Sequence, residues 1–406
     1  MPPRSQDALR RIDALSGVAL RLARTAPSGR IVLARVARAI DPDWITRPWG
    51  DELAAELEVA AAHPPEPMRA RAVERTLKDA WGVKPTEELD ELELEPVAVT
   101  PTAQVHRGTL DGEPVAVKLI RPGIAATVRQ DLVLLDGLTA PLAAAFPALD
   151  PQALIREARK RIQDELDLEH EAESLRGFHR ALRSHPFLTV PAPVTRLAHE
   201  AVLVSAWIDG VPIVSAPDPD LAAARLVTFV IGAARFGVMH ADPDPDDVLV
   251  LADGRLAILD FGATRTVIAE RVDHAYEALE AFAAGDDARL GAALEKLGAL
   301  PGSEAARAGE LGRHALGDLA GPGSSRLDTE AVIDARDRLL ERTDALVRVI
   351  LAGSLAPEDL WPARAVGQLF GVIARTGASG DWLELARAAL RDGWDALEIP
   401  HALDQG

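Results

Sequence analysis

Three aspartates in the second half of the chain have the spacing of a magnesium-dependent phosphoryl-transfer site. Asp242 stands in His-Ala-Asp, Asp247 lies five positions later, and Asp260 opens an Asp-Phe-Gly. In such a site the first carboxylate orients or deprotonates the acceptor hydroxyl, whereas the other two are ligands to Mg²⁺. We predict Asp242 as a catalytic residue and Asp247 and Asp260 as metal ligands, with His240 packed beneath the loop.

A lysine upstream supplies the positive charge that a triphosphate requires. Lys118 ends the run Val-Ala-Val-Lys on a predicted strand, where we expect it to contact the phosphates of ATP. Such a lysine needs a carboxylate that holds its ammonium in place. In the helix predicted at residues 151–182, Glu165 and Glu169 share one face and Glu171 lies on another. We predict Glu171 as the partner of Lys118; a solvated acidic helix face is the alternative.

The composition is that of a globular protein that does not bind nucleic acid. Of 406 residues, 48% are hydrophobic and 26% are charged, which does not favour a disordered chain. The net charge of -19 argues against binding to a phosphate backbone. Cysteine is absent, which excludes disulfides and thiolate metal sites. Because the amino terminus has no signal-peptide pattern, we expect a cytoplasmic protein.

The amino-terminal helices are basic on an otherwise acidic chain. Residues 1–48 contain nine Arg and four Asp. Such a helix face is either solvated beside acidic neighbours or in peripheral contact with anionic lipid at the inner face of a membrane. The sequence leaves both alternatives open.

The hydrophobic period changes along the chain from helical to strand-like and back. We predict strands at residues 103–108, 114–120, 194–197, 202–206, 248–251 and 256–259. We predict helices at residues 7–39 with a break at Pro27-Ser28-Gly29, and at residues 51–62, 68–81, 125–145, 151–182, 272–284, 287–297, 329–351 and 382–397. This order predicts an α+β, two-lobed, protein-kinase-like fold.

The predicted fold divides the chain into four parts. Residues 1–94 form a helical N-terminal extension, and residues 95–208 form a small sheet-containing N-lobe with inserted helices. Residues 209–300 form a helical C-lobe. Residues 301–406 form a helical C-terminal region, to which we assign packing only.

Taken together, these segments resemble the UbiB/AarF family of atypical kinases, also called the activity-of-bc-complex family, over residues 65–300. The segments that carry the resemblance are Gln104 to Gly108, Val115 to Lys118 with Arg121-Pro122-Gly123, Glu165-Leu166-Asp167 with Glu171-Ala172, the strand before Ile208-Asp209-Gly210, and His240 to Pro243. The resemblance implies ATP and Mg²⁺ as cofactors and the kinase roles already argued for the lysine and the acids. It also implies nucleotide contacts from a loop at Thr102 and Ala103 and from a hinge at Ala206 and Ile208.

The chain departs from the family pattern in three places. Asp244, Asp246 and Asp247 stand where the family has His, Gly and Asn, and the extra charge of Asp247 is expected to tighten Mg²⁺ binding while repelling the triphosphate. Thr100-Pro101-Thr102-Ala103 replaces an alanine-rich nucleotide loop. The amino-terminal Lys-x-Gly-Gln motif has no clear counterpart, and its best match is Arg30-Ile31-Val32-Leu33.

Two functions of different classes are compatible with these motifs. The first is an ATP-dependent kinase or ATPase that acts on a small-molecule or lipid-linked substrate. The resemblance implies that this substrate belongs to a quinone pathway. The second is a pseudokinase that binds nucleotide without turnover and acts as a regulatory or scaffold protein. A phosphotransferase of the aminoglycoside or choline type is a less favoured third, because the helical extension and the Arg-Pro-Gly segment speak against it.

Overall fold

The structure, a computed structural model, describes residues 3–25, 51–62 and 65–397. In these ranges the chain is mostly helical with small sheets. The helices are α1 (Pro3–Thr25), α2 (Asp51–Ala62), α3 (Ala70–Trp81), α4 (Pro85–Glu88), α5 (Ile124–Asp131), α6 (Thr139–Ala145), α7 (Pro151–Asp164), α8 (Leu168–Ala181), α9 (Pro219–Gly232), α10 (Ala269–Ala284), α11 (Asp287–Lys296), α12 (Ala305–Leu316), α13 (Thr329–Glu341), α14 (Thr343–Ala352), α15 (Leu360–Thr376) and α16 (Trp382–Asp392).

The strands form two four-stranded sheets and two small pairs. They are β1 (Glu91–Val99), β2 (Ala103–Leu110), β3 (Glu113–Ile120), β4 (Leu188–Thr189), β5 (Val202–Ala206), β6 (Val211–Pro212), β7 (Val238–His240), β8 (Val248–Val250), β9 (Leu256–Ile258), β10 (Thr264–Thr266), β11 (Ser325–Arg326) and β12 (Ser379–Gly380). One large sheet has the order β1-β2-β3-β5 and the other the order β4-β9-β8-β6. The pairs are β7 with β10 and β11 with β12.

Two expectations for the amino-terminal part fall partly outside the described residues. The first section of the helix predicted at residues 7–39 is present as α1, which packs against α6 and α14. The match proposed for the Lys-x-Gly-Gln motif, Arg30-Ile31-Val32-Leu33, lies outside the described residues. In the described part of the chain, no helix combines the length and the apolar character needed to cross a membrane.

The first sheet is antiparallel and begins with the hairpin that the sequence predicts. Between β2 and β3, Asp111 and Gly112 both have positive φ, at 53° and 79°. This is the backbone that a two-residue turn requires, and Asp-Gly adopts it readily. The hairpin prediction is therefore confirmed.

The two faces of β3 have different roles. Val117 and Leu119 are fully buried against Val73 and Leu77 of α3. Because side chains alternate along a strand, Lys118 points to the opposite face. Helix α3 thus covers one side of the sheet and leaves the lysine on the other.

A buried polar network joins the segment before α3 to the sheet. The Gln104 side chain accepts a hydrogen bond from the Met68 N–H at 2.7 Å and donates to His106 Nε2 at 2.6 Å. His106 Nδ1 donates to the Glu93 carbonyl at 2.8 Å. Since both side chains are fully buried and every polar atom has a partner, the network holds β1, β2 and residue 68 together. Burial lowers the pKa of His106, against the opposing effects of Glu93 and Glu95.

Four predicted segments are wrong in detail. The helix predicted at residues 151–182 is two helices, because Asp167 caps α8 by accepting hydrogen bonds from the Glu169 and His170 N–H groups. The segment predicted as a strand at residues 194–197 contains a short 3₁₀ turn. The helices predicted at residues 125–145 and 329–351 are likewise interrupted. The break before α8 matters most, since Glu165 and Glu171 no longer share a helix.

The helical part is organised around α9, which is buried along most of its length. Trp394 donates from its indole N–H to the Phe229 carbonyl of this helix at 3.1 Å. At Gly232 an added Cβ would lie 2.7 Å from the Gly393 backbone, so the close approach requires glycine.

Strand β4 pairs with β9, which joins residues on both sides of the predicted boundary at residue 208. The predicted domain boundaries stay predictions.

We predict that the His106 network makes the protein less stable in mild acid. The unfolded chain takes up a proton as the pH falls through the ordinary histidine pKa of 6.5, whereas folded His106 resists protonation. The free energy of unfolding therefore decreases below about pH 6.5, by at most about 1.4 kcal/mol per pH unit from this group. Urea denaturation of wild type and His106→Gln at about pH 7.5 and about pH 5.5 checks this. An equal pH dependence in both proteins contradicts the prediction.

Candidate active site

A cavity of about 560 Å³ lies between the first sheet and the segments at residues 242–247 and 259–263. Every residue that the sequence predicts for the site lines this cavity. These residues are Thr102, Ala103, Lys118, Glu171, Ala206, Ile208, Asp242, Asp247 and Asp260. The structure therefore brings all of them together, while their individual roles stay predictions.

The Lys118 ammonium joins three elements that are far apart in the sequence. Its Nζ donates to both carboxylate oxygens of Glu171, at 2.9 and 2.8 Å, and to Asp260 Oδ2 at 2.7 Å. Strand β3 supplies the lysine, the first turn of α8 supplies Glu171, and the segment after β9 supplies Asp260. The contact expected between Lys118 and Glu171 is present, and Asp260 is a second partner that the sequence did not predict.

Two carboxylates share this one cation, which shifts all three pKa values. Burial would lower the pKa of Lys118, but the charges of Asp260 and Glu171 raise it above its ordinary value. Burial and the charge of Asp260 raise the pKa of Glu171 to about 7. Although burial opposes the shift, the Lys118 ammonium and the Gly262 N–H lower the pKa of Asp260. The Lys118 ammonium therefore favours the charged form of Asp260, whereas burial disfavours the charged form of Glu171.

The residues beside Asp260 hold its backbone in place. Phe261 is fully buried, and its ring centroid lies 4.8 Å from that of Phe178 on α8 and 5.4 Å from that of His240. His240 Nε2 donates to the Asp260 carbonyl. Burial lowers the pKa of His240, against the opposing effects of the hydrogen bond to Asp260 and of the charges of Asp260 and Asp242. This arrangement matches the packing role expected for His240.

Asp242 is held by two side chains that the sequence did not predict. Arg364 Nη2 and Gln368 Nε2 both donate to Asp242 Oδ1, at 2.7 and 2.6 Å. Both residues belong to α15, so the C-terminal region that we assigned to packing also contacts a residue that lines the cavity. The contact spans more than 120 residues without a motif. The only sequence feature that could have revealed it is a polar pair at i and i+4 in an otherwise apolar helix.

The acidic loop after Asp242 places Asp247 beside the backbone segment that carries Asp260. Pro245–Asp247 is a 3₁₀ turn, and the Asp244 side chain accepts from the Asp246 N–H at 3.0 Å. The Leu259 N–H donates to the Asp247 carbonyl at 2.9 Å. Because Leu259 precedes Asp260, this bond places the two predicted metal ligands on adjacent backbone segments.

The family model of the ABC1 atypical kinase-like domain matches residues 63–294, more than half of the chain. The chain belongs to this family. The match confirms the resemblance to the UbiB/AarF kinases and the kinase-like fold, while the division into two lobes stays a prediction.

Several curated proteins are similar to this ABC1 chain. The probable protein kinase UbiB of Marinobacter nauticus is 28% identical over 248 residues, which cover 57% of this chain and 45% of that protein. The mitochondrial atypical kinase COQ8B of Danio rerio is 25% identical over 298 residues, covering 71% and 47%. An uncharacterized protein of Synechocystis, slr0889, is 33% identical over 217 residues, covering 48% and 53%. The chain spans about half the length of these three relatives.

A solved structure from Mycobacterium tuberculosis has a similar fold. Its title describes the complex of Rv3197 with erythromycin. The TM-score is 0.62 at 23% identity, and the match covers 80% of this chain and 83% of that one. At this identity the similarity shows the fold alone.

The cavity of this ABC1 chain is strongly acidic. Among the described residues that line it, Lys118 is the only lysine or arginine. Seven carboxylates line the same cavity, from Glu165, Glu171, Asp242, Asp244, Asp246, Asp247 and Asp260. A bare triphosphate is repelled by this charge, so a nucleotide requires a divalent cation to enter.

The turn that replaces the family's alanine-rich loop is closed by its own side chain. Thr100 Oγ1 accepts from the Ala103 N–H at 2.9 Å, and the Thr100 N–H donates to the Ala103 carbonyl at 2.8 Å. Arg121 Nε donates to the Thr100 carbonyl at 2.9 Å. Thr102 and Ala103 line the cavity. The Ala103 N–H, however, already donates to Thr100 Oγ1 within the turn.

The predicted hinge also lines the cavity through Ala206 and Ile208. Here the Ala206 N–H donates to the Ala192 carbonyl at 2.8 Å. An adenine ring in this position would have to use other backbone groups of the hinge. The cation of Arg107 stacks on the neighbouring Trp207 ring at 5.0 Å, which fixes the wall of the cavity at this end.

The carboxylates present fit magnesium held together with a nucleotide. In the described ranges, no group of three or more His, Cys, Asp or Glu side chains is arranged to hold a metal ion. Magnesium takes few protein carboxylates and completes its shell with phosphate and water oxygens. Asp260 accepts one hydrogen bond from Lys118 at Oδ2 and one from the Gly262 N–H at Oδ1, and each carboxylate oxygen has a second lone pair for a metal ion. Asp247 and Asp260 thus fit a magnesium site that is completed by the substrate.

We predict that Lys118 is worth more to stability than a surface lysine. Lys118→Met leaves Glu171 and Asp260 without their shared cation. It should lower the free energy of unfolding by about 2 to 3 kcal/mol, below the full value for a buried pair because Asp260 faces the cavity. Adding Glu171→Gln should restore part of the loss, since one buried charge is removed.

Lys296→Met is the matched control in a denaturant titration. Lys296 is half exposed and pairs with Glu277 at 3.0 Å. Its loss should cost about 0.5 kcal/mol or less. Equal costs for the two lysine variants would contradict the role given to Lys118.

Proposed function

We propose that this chain binds ATP with Mg²⁺ in the acidic cavity and transfers the γ-phosphoryl group to water or to a small-molecule or lipid-linked acceptor. Its membership of the ABC1 family makes it an atypical kinase-like protein of the UbiB type. The observation that carries the proposal is the meeting of Lys118, Glu171 and Asp260 in the cavity that Asp242 and Asp247 also line. One ammonium and several carboxylates are what phosphoryl transfer to an acceptor requires.

Lys118 and Asp242 have complementary roles in this proposal. Lys118, held by Glu171, contacts phosphate oxygens and places positive charge where negative charge accumulates. Asp242 accepts a hydrogen bond from the acceptor hydroxyl and takes its proton late, as the new P–O bond forms and the bond to ADP breaks. The proton then passes to solvent. Asp242 thereby aligns the attacking oxygen with the phosphorus.

Asp247 and Asp260 would hold the magnesium ion. When bound, Mg²⁺ screens the charge of the triphosphate and of the acidic cavity wall. Asp260 suits this role because its pKa is lowered, so it stays ionised at neutral pH. Lys118 already orients one of its oxygens.

The acceptor is proposed only as a class. Relatives are named as protein kinase and atypical kinase, which supports phosphoryl transfer and does not specify the acceptor. The basic amino-terminal segment supports peripheral contact with anionic lipid, where a lipid-linked acceptor would lie. A quinone-pathway substrate is the narrower form of the same proposal.

A pseudokinase is the second candidate, and two observations favour it. The Ala103 N–H is used within its own turn, and seven carboxylates face one lysine. Both features weaken the hold on phosphates. A protein of this kind binds nucleotide and acts through partners without turnover.

We expect Asp242→Asn to separate turnover from binding. The variant keeps the shape of the side chain but cannot accept the proton, so Mg²⁺-dependent ATP hydrolysis should fall by about 100-fold or more. The nucleotide-induced rise in Tm should persist, because Lys118 and Asp260 are unchanged. A rise in Tm without turnover in either protein identifies the pseudokinase, and no rise in the wild type refutes nucleotide binding.

Asp247→Asn tests the most unusual residue of the loop. Removing one negative charge from the cavity should weaken Mg²⁺ binding and strengthen the binding of metal-free ATP, each by several-fold. Calorimetric titration of ATP with and without Mg²⁺ measures both effects. Asp253→Asn, on an exposed turn, is the control for charge alone. Identical shifts in the two variants would remove Asp247 from the site.

A further inference from the structure

We propose that Arg364 and Gln368 are positioning residues for Asp242, so that the C-terminal helical region completes the phosphoryl-transfer site. The catalytic part of this inference rests on the function proposed above. The match to the ABC1 family model ends at residue 294. Helix α15 therefore contributes to the site from outside the matched region.

Both donors bind the same oxygen of Asp242. Arg364 Nη2 lies 2.7 Å and Gln368 Nε2 lies 2.6 Å from Oδ1. Two hydrogen bonds to one oxygen restrain the rotation of the carboxylate. Neither of these bonds uses Oδ2, the oxygen that the proposal assigns to the acceptor hydroxyl.

The ion pair is only partly exposed, which makes it more than a surface contact. The side chains of Arg364 and Asp242 are 29% and 25% exposed. At this depth a charged hydrogen bond is stronger than in water and holds its geometry better. The described residues that line the cavity include Asp242 but neither Arg364 nor Gln368. Both residues consequently act through Asp242 and not on the nucleotide.

Helix α15 is itself held so that it can position these donors. Ala365 and Leu369, next to the two donors in the helix, are fully buried in the core. The Arg364 guanidinium lies 5.4 Å from the centre of the Trp361 ring, and Trp361 Nε1 donates to Glu157 of α7 at 3.0 Å. A donor on a packed helix is placed more accurately than one on a loop.

The opposite role for the same contact is a lock. If Arg364 kept Asp242 away from the acceptor, removing it would raise turnover. The single-oxygen geometry favours positioning, because a lock would be expected to occupy both oxygens. The two roles predict opposite signs of the change in kcat.

The test uses the full chain with MgATP as the only substrate. Arg364→Met keeps an unbranched side chain but removes the charge, and Gln368→Met keeps the volume. Each should lower kcat for ATP hydrolysis by about 10- to 100-fold, while KM for ATP changes by less than about twofold. Arg364→Lys should recover part of the loss. Arg348→Met, which breaks an exposed ion pair with Glu304, is the matched control and should leave kcat unchanged.

A double-mutant cycle with Asp242→Asn decides whether the effect passes through Asp242. In that background, Arg364→Met should cause no further loss of kcat, since the carboxylate that it positions is already gone. A further 10-fold or greater loss overturns the proposal. So does a rise in kcat in the single variant, or a rise in KM for ATP with kcat unchanged.

The same cycle is also measured by urea denaturation, which does not depend on turnover. The double variant should be destabilised by less than the sum of the single variants, because Asp242→Asn and Arg364→Met both remove the same ion pair. If the wild type hydrolyses no ATP, the transfer to water in the proposed function fails, and this stability cycle alone judges the contact. If the losses in the free energy of unfolding are smaller together than in sum, they support the contact of Arg364 with Asp242. Additive losses overturn the proposal.

Discussion

The ammonium of Lys118 is the interaction on which the rest of the site depends. It binds Glu171 and Asp260 at once, and so joins β3, α8 and the segment after β9. Since Glu171 is almost fully buried and Asp260 faces the cavity, the lysine is anchored on one side and available on the other. Loss of that cation would leave two carboxylates in mutual repulsion. The ion pairs of Lys118 therefore determine both the positions of these side chains and the charge of the cavity wall.

Features that depend on local period and turn chemistry could be predicted from the sequence. Alternation along β3 places Lys118 opposite Val117 and Leu119, and Asp111-Gly112 forms the predicted turn. The family and the kinase-like fold follow from motifs that are short but ordered. All predicted site residues also line one cavity.

What could not be predicted depends on contacts between distant segments. The break before α8 results from the Asp167 side chain capping a new helix, which competes with a continuous helical period. The contacts of Arg364 and Gln368 with Asp242 depend on how α15 packs, and no local pattern specifies that packing. Asp260 as a second partner of Lys118 is of the same kind, because a motif gives order along the chain and not distance in space.

Family membership and activity depend on different features of this chain. The acidic cavity and the self-closed turn at Thr100 would both weaken the binding of phosphates in the proposed function. Retention of Lys118 and Asp260 acts in the other direction. Whether phosphates bind depends on the sum of these positive and negative charges. A bound divalent cation would favour binding.

The most direct test of the central claim is a crystal structure with Mg²⁺ and a non-hydrolysable ATP analogue. The account predicts phosphate oxygens within hydrogen-bond distance of Lys118 Nζ and a metal ion bound by Asp247 and Asp260. A nucleotide bound elsewhere, or Lys118 Nζ in contact only with Glu171 and Asp260 at saturating analogue, would contradict it.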